Sequence, residues 1–123
     1  MKRILLVEDN ITLLENIAFE LQIRDYDVVQ AESGKSALDM LGLATHLPDV
    51  IISDIAMPDL NGYDLLEKLR KDPTLADIPV IFLTAFDSPN AVMLAEELGV
   101  DDYLVKPIKP EDLIAAIEKK IKA

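Results

Sequence analysis

The chain has no cysteine among its 123 residues and only one histidine, His46. The absence of thiols excludes a disulfide staple and any thiolate metal site, and it suits a reducing cytosol, so a cytoplasmic protein is expected. His46 lies in a loop segment beside Leu47 and Pro48 and reads as a surface residue with no assigned role. Positive charge is scarce: 12 Lys and Arg face 23 Asp and Glu, a net charge of −11. A nucleic-acid duplex would repel such a chain, which argues against direct DNA or RNA binding. Long hydrophobic runs are missing too. The apolar stretch behind Met1-Lys2-Arg3 runs only from Ile4 to Val7 before Glu8 and Asp9 interrupt it, too short for a signal peptide or a membrane span.

What is present is a globular balance, half hydrophobic and 28% charged, rather than the composition of a disordered chain. At this length one domain over residues 1–123 is expected. Apolar runs at Ile4–Val7, Val28–Ala31, Val50–Ser53, Val80–Thr84 and Tyr103–Val105 predict five short buried strands. Between them, helical spacing of apolar residues recurs at Leu14/Ile17/Ala18/Leu21, Gly34/Ala37/Leu38/Leu41, Gly62/Leu65/Leu66/Leu69 and Ala91/Leu94/Ala95/Leu98, each predicting one buried stripe. Gly99 marks the end of the fourth helix. A fifth helix follows Pro110, with Glu111 and Asp112 at its positive end and Lys119, Lys120 and Lys122 at the other. Strict alternation of strand and helix predicts an α/β, doubly wound parallel sheet with helices on both faces.

In such sheets a ligand site forms beyond the carboxyl ends of the strands. The residues delivered there are Glu8 and Asp9 after the first strand, Asp54 after the third, Thr84 after the fourth and Lys106 after the fifth. Three carboxylates on one rim repel one another unless a cation neutralises them. An all-oxygen site of this kind suits Mg²⁺ or Mn²⁺, which share their coordination with phosphate. Carboxylates also accept phosphoryl groups, and a metal, a lysine and a hydroxyl can neutralise the transferred charge.

The segments Leu5-Leu6-Val7-Glu8-Asp9-Asn10, Asp54-Ile55-Ala56-Met57-Pro58-Asp59-Leu60-Asn61-Gly62, Leu83-Thr84-Ala85 and Gly99-Val100-Asp101-Asp102-Tyr103-Leu104-Val105-Lys106-Pro107 resemble the response-regulator receiver family across essentially the whole chain. The resemblance implies a flavodoxin-like sheet of order 2-1-3-4-5. It implies Asp54 as phosphoacceptor, Glu8 and Asp9 as the acid pair that directs the metal, and the Ala56 backbone carbonyl as a further ligand. Thr84 and Lys106 are implied as phosphoryl partners with Ala85 and Pro107 in support, and the Lys106-Pro107 bond as cis. Tyr103 matches the aromatic switch position, whose ring turns inward when the hydroxyl residue moves to the phosphate. Ala56 and Phe86, two residues beyond Asp54 and Thr84, match positions that flank the water attacking the phosphoryl group, so they are expected to set its lifetime. The implied partners are a histidine kinase or phosphotransfer protein upstream and a protein target or output domain downstream, with a phosphorylation-dependent dimer allowed. Whether the chain is a stand-alone regulator or part of a longer protein stays open.

Each residue also has a plainer role. Glu8 and Asp9 would suit the positive end of a helix, Thr84 could cap the segment after it, and Tyr103 could be strand packing. Lys106 could be a solvated lysine before a proline turn, and Phe86 could pack away from the site against the fourth helix. Among other functions, an aspartyl-phosphate phosphohydrolase of the haloacid-dehalogenase-like kind would need a second Asp where Ala56 stands, and a cap insertion. Flavin binding would need a glycine- and hydroxyl-rich loop where Glu8 and Asp9 stand. A receiver-like interaction module that never accepts phosphate would be expected to lack part of the Glu8, Asp9, Asp54 and Lys106 set, all of which is present.

Overall fold

A computed structural model describes residues 1–121. Lys122 lies outside the described residues. The strands are β1 (Arg3–Val7), β2 (Asp27–Ala31), β3 (Val50–Ser53), β4 (Val80–Thr84) and β5 (Asp102–Val105). They alternate with α1 (Ile11–Gln22), α2 (Gly34–Leu43), α3 (Gly62–Lys71), α4 (Pro89–Glu97) and α5 (Pro110–Lys120). All neighbouring strands pair in parallel, in the order β2-β1-β3-β4-β5. The doubly wound class and the strand order are therefore as expected.

The sheet divides the core in two. On one face Leu5, Val7, Ile51 and Phe82 pack with residues of α2, α3 and α4; on the other Ile4, Leu6, Ile52 and Leu83 pack with α1 and α5. Successive residues of one strand thus serve opposite faces, as the two-residue period requires. The three central strands are buried almost throughout, whereas β2 and β5 are the edges and only half-buried. The expectation of five buried strands fails for these two, because an edge strand has a neighbour on one side only.

Polar side chains set the helix starts. Asn10, Ser33, Asn61 and Ser88 each accept a backbone N–H three residues on, satisfying a donor the helix leaves free. Glu8 and Asp9 therefore precede the cap of α1, whose first turn holds no acid. Ser88, not Thr84, caps α4. The fourth apolar stripe is also thinner than its spacing suggests: Ala95 is the one fully buried residue of α4, and Leu94 is 42% exposed. By contrast α3 buries Gly62, Leu65, Leu66 and Leu69. Lys119 and Lys120 occupy the last turn of α5, where they complement the helix dipole.

Beyond α4, Gly99 adopts φ +90°, a left-handed conformation that glycine takes without strain. Arg70 of α3 donates to the Gly99 carbonyl through Nε at 3.2 Å and one terminal nitrogen at 2.8 Å, and to Asp101 at 2.7 Å. Its other terminal nitrogen reaches the carbonyls of Ala76 and Ile78. A single guanidinium thus ties the end of α3 to the turn leaving α4.

Candidate functional site

The carboxyl ends of β1, β3, β4 and β5 converge because the register aligns Val7 with Ser53, and Thr84 with Val105. Glu8, Asp9 and Asp54 each bring a carboxylate oxygen within 4.8 Å of the others. Glu8 is 3% exposed and Asp54 7%, whereas Asp9 is open to solvent. Lys106 crosses from β5 and donates to Glu8 Oε1 at 2.6 Å and Asp54 Oδ2 at 2.9 Å.

Backbone geometry holds Asp54 from several sides. Its Oδ1 accepts from the N–H groups of Ile55 at 2.6 Å and Ala56 at 3.3 Å, while its own N–H donates to the Val7 carbonyl. Gly62, the first residue of α3, passes so close that an added Cβ would meet the Asp54 carbonyl at 2.5 Å and Ile55 Cα at 2.7 Å. Only glycine permits that approach, which brings the anchored helix directly against the acidic residue.

The charges are not balanced. Burial pulls the Lys106 ammonium down, but the hydrogen bonds it donates to Glu8 and Asp54, with their charges, outweigh it, so its pKa is raised and it stays charged. Burial pushes the Glu8 carboxyl up, against the lowering effect of Lys106 and the Asn10 N–H, and the charge of Asp54 adds to the rise. One lysine between two buried acids secures its own charge without fully compensating theirs. A cluster with surplus negative charge, oxygen ligands and solvent access through Asp9 fits a hard divalent cation such as Mg²⁺. The residues that would hold it are Glu8, Asp9 and Asp54. Ala56 lies beside the Asp54 carboxylate through its N–H.

Thr84 is fully buried; its hydroxyl accepts from the Phe86 N–H at 3.3 Å and its carbonyl from the Lys106 N–H at 2.8 Å. The last bond ties the end of β5 to that of β4. The Lys106-Pro107 bond is cis. Tyr103 is half-buried with its ring edge-on to Phe82, centroids 6.2 Å apart, and its hydroxyl donates to the Phe86 carbonyl at 2.7 Å. The ring thus lies inward, packed on the core. Phe86 is 43% exposed.

Two contacts escaped the sequence. Tyr63, in the first turn of α3, packs edge-on to Phe82 and donates to the Ala91 carbonyl of α4 at 3.1 Å. Lys106 meets Glu8 across 98 residues of chain. Neither pairing has a local pattern to announce it.

A doubly wound parallel sheet with its polar cluster at the carboxyl ends of the strands is the class that the fold and site define. Within it, residues 4–118 match the family model described as the response regulator receiver domain, and the chain belongs to that family. It is 38% identical over 116 residues to the probable transcriptional regulator ycf27 of Guillardia theta, covering 94% of this chain and 44% of the relative. It is 34% identical over 110 residues to the two-component response regulator ORR3 of Oryza sativa subsp. indica, covering 89% of this chain and 83% of the relative. The signal receiver domain of a signal transduction histidine kinase from Syntrophus aciditrophicus superposes with a TM-score of 0.91 at 36% identity, covering 98% of this chain and 90% of that one. The chain spans about half the length of the ycf27 relatives it matches.

Proposed function

We propose that the domain accepts a phosphoryl group on Asp54 from a phosphohistidine of a kinase or phosphotransfer protein, and that the change is read by a partner at the surface of α4, β5 and α5. The observation that carries this is the cluster of Glu8, Asp9 and Asp54 within 4.8 Å with Lys106 bridging two of its members.

In the transfer, a carboxylate oxygen of Asp54 attacks phosphorus as the P–N bond to the donor imidazole breaks. The bond's electron pair stays on the ring nitrogen, and an acyl phosphate forms. Mg²⁺ or Mn²⁺ held by Glu8, Asp9, Asp54 and the Ala56 carbonyl would neutralise charge on the phosphoryl oxygens. The chain's own residues do the rest. The Ile55 and Ala56 N–H groups fix the orientation of the Asp54 carboxylate. Lys106 already lies 2.9 Å from Asp54, so it meets the incoming charge of roughly −1.5 to −2 with little rearrangement. Thr84, whose hydroxyl accepts from the neighbouring Phe86 N–H, can turn toward a phosphoryl oxygen. Such a domain labels itself and does not turn over a small substrate.

Two-component signalling in the cytoplasm follows from this function, and among the described residues no helix is long and apolar enough to cross a membrane. Transcriptional control, the role in the name of the ycf27 relatives, would draw on their length outside the matched segment. The test is intact-mass measurement after incubation with acetyl phosphate. One phosphoryl group per chain is expected with Mg²⁺ present and none in excess chelator or in Asp54→Asn. Stoichiometric labelling of Asp54→Asn would overturn the assignment.

A further inference from the structure

The segment from Phe86 to Ala91 leaves the end of β4, turns through Asp87 and Ser88, and enters α4. It arches over an open cleft of about 410 Å³ lined by Tyr63, Ala85, Phe86, Asp87, Ser88 and Ala91. With Ala95 as its one fully buried residue, α4 has little hydrophobic hold on the body of the domain. Among the described residues, two side chains distant in sequence hydrogen-bond to this segment. Tyr103 holds the Phe86 carbonyl and Tyr63 the Ala91 carbonyl. Both rings pack edge-on with one partner: Tyr63 to Phe82 at 5.9 Å and 86°, Phe82 to Tyr103 at 6.2 Å and 81°. Phe82 is fully buried, so the two tyrosines share an immobile base. Burial pushes both hydroxyls above the ordinary tyrosine range, with neighbouring charge contributing at Tyr103, and keeps them protonated donors at neutral pH.

We propose that Tyr63 is a positioning residue of the switch: from the anchored first turn of α3 it holds the start of α4, and through Phe82 it supports the inward placement of Tyr103. The role in signalling rests on the phosphoacceptor function above; the tether itself does not. Because Tyr63 sits on the helix pressed against Asp54 by Gly62, it links the most rigid wall of the site to its least anchored helix. Losing one neutral hydrogen bond of this kind shifts a two-state balance by roughly two- to tenfold.

Tyr63→Phe keeps the ring and removes only the donor, and Tyr63→Leu removes both. Amide hydrogen exchange and carbon-13 tyrosine ring signals are followed in the unphosphorylated protein, and labelling by acetyl phosphate with Mg²⁺ is timed separately. In Tyr63→Phe, amides of Val92 to Ala95 should exchange about two- to tenfold faster and the inward signal of Tyr103 should weaken, while amides of Leu5 and Leu6 in β1 stay unchanged. Labelling of Asp54 should slow by a similar factor, because the arranged loop is less populated. Tyr63→Leu should show larger effects of the same sign. The effects of Tyr63→Phe and Tyr103→Phe should be non-additive in the double variant, since both act on one segment. Unchanged exchange and unchanged Tyr103 signals in Tyr63→Phe would overturn the proposal. So would equal acceleration in β1, which would make the effect one of overall stability, or altered exchange with unaltered labelling, which would leave Tyr63 a packing residue. If the wild type takes up no phosphate, the phosphoacceptor function fails, and the exchange and ring-signal arm still decides the tether.

Discussion

Helices α3 and α4 lie on the same face of the sheet and are held very differently. α3 drives Leu65, Leu66 and Leu69 into the core, seats Gly62 against the Asp54 backbone and fixes its far end through Arg70. α4 contributes Ala95 to the same core and leaves Met93 and Leu94 exposed. Under the proposed function, a site that keeps one carboxylate in place while altering a surface needs both kinds of helix. Rigidity sits where the chemistry is, and loose anchoring sits where a change can be displayed.

The largest test of this contrast is stability. Leu66→Ala should cost about 2–5 kcal/mol in denaturant unfolding, because it empties a fully buried position. Leu94→Ala on α4 should stay within about 0.5 kcal/mol. Equal losses would mean that α4 is anchored as firmly as α3.

Lys106→Ala comes next. It leaves Glu8 and Asp54 facing each other without the bridging cation and should cost about 1–3 kcal/mol without metal, less with saturating Mg²⁺. The variant should still be labelled by acetyl phosphate. Its amide spectrum around Tyr103 should nevertheless change less on labelling than that of wild type, and identical spectra would remove Lys106 from the response.

Smaller still is the effect on signal lifetime. Ala56 offers no polar group to an attacking water, and Phe86, half-exposed at the loop, offers bulk. Ala56→Asn and Phe86→Glu should each speed loss of the phosphoryl group several-fold after donor removal. Unchanged or slower decay in both would show that these positions do not govern that water.

The finest effect is a pH dependence of the metal-free protein. Burial raises the Glu8 pKa above its ordinary 4.5, so the folded state carries an ionisation cost at neutral pH that Glu8→Gln lacks. The stability advantage of Glu8→Gln should be full above the raised value. It should shrink as pH falls through that value and vanish below 4.5, where the carboxyl is protonated folded and unfolded alike. An advantage that grows on acidification would reverse the assigned sign.

Much of this was legible beforehand. Three central strands read as apolar runs because both their faces are covered, and the acids stood out because nothing in a buried strand end needs them. Gly99 was legible as a helix stop because few residues take positive φ. The thin anchoring of α4 was not, since Ala91, Leu94, Ala95 and Leu98 have the spacing of a buried stripe and only the placement of neighbouring elements decides how much is covered. The need for glycine at position 62 was hidden for a related reason. It depends on a backbone approach to Asp54 eight residues earlier, and no local pattern reports that distance. The partners of Lys106 and Tyr63 likewise exist only once the sheet has brought distant strands together.

The grip of Arg70 on the Gly99 carbonyl has a mechanical consequence. It pins α4 at its carboxyl end, while two hydroxyls restrain the other, so a rigid-body tilt of the helix would turn about Gly99. Nine residues at about 1.5 Å each give an arm of roughly 13 Å, and a tilt of about 10° would carry its tip roughly 2 Å. Displacement would then be largest at Ser88 and Pro89 and smallest at Glu97. A partner bound near the tip would feel the state of Asp54 most strongly, and one bound near the fulcrum would scarcely register it.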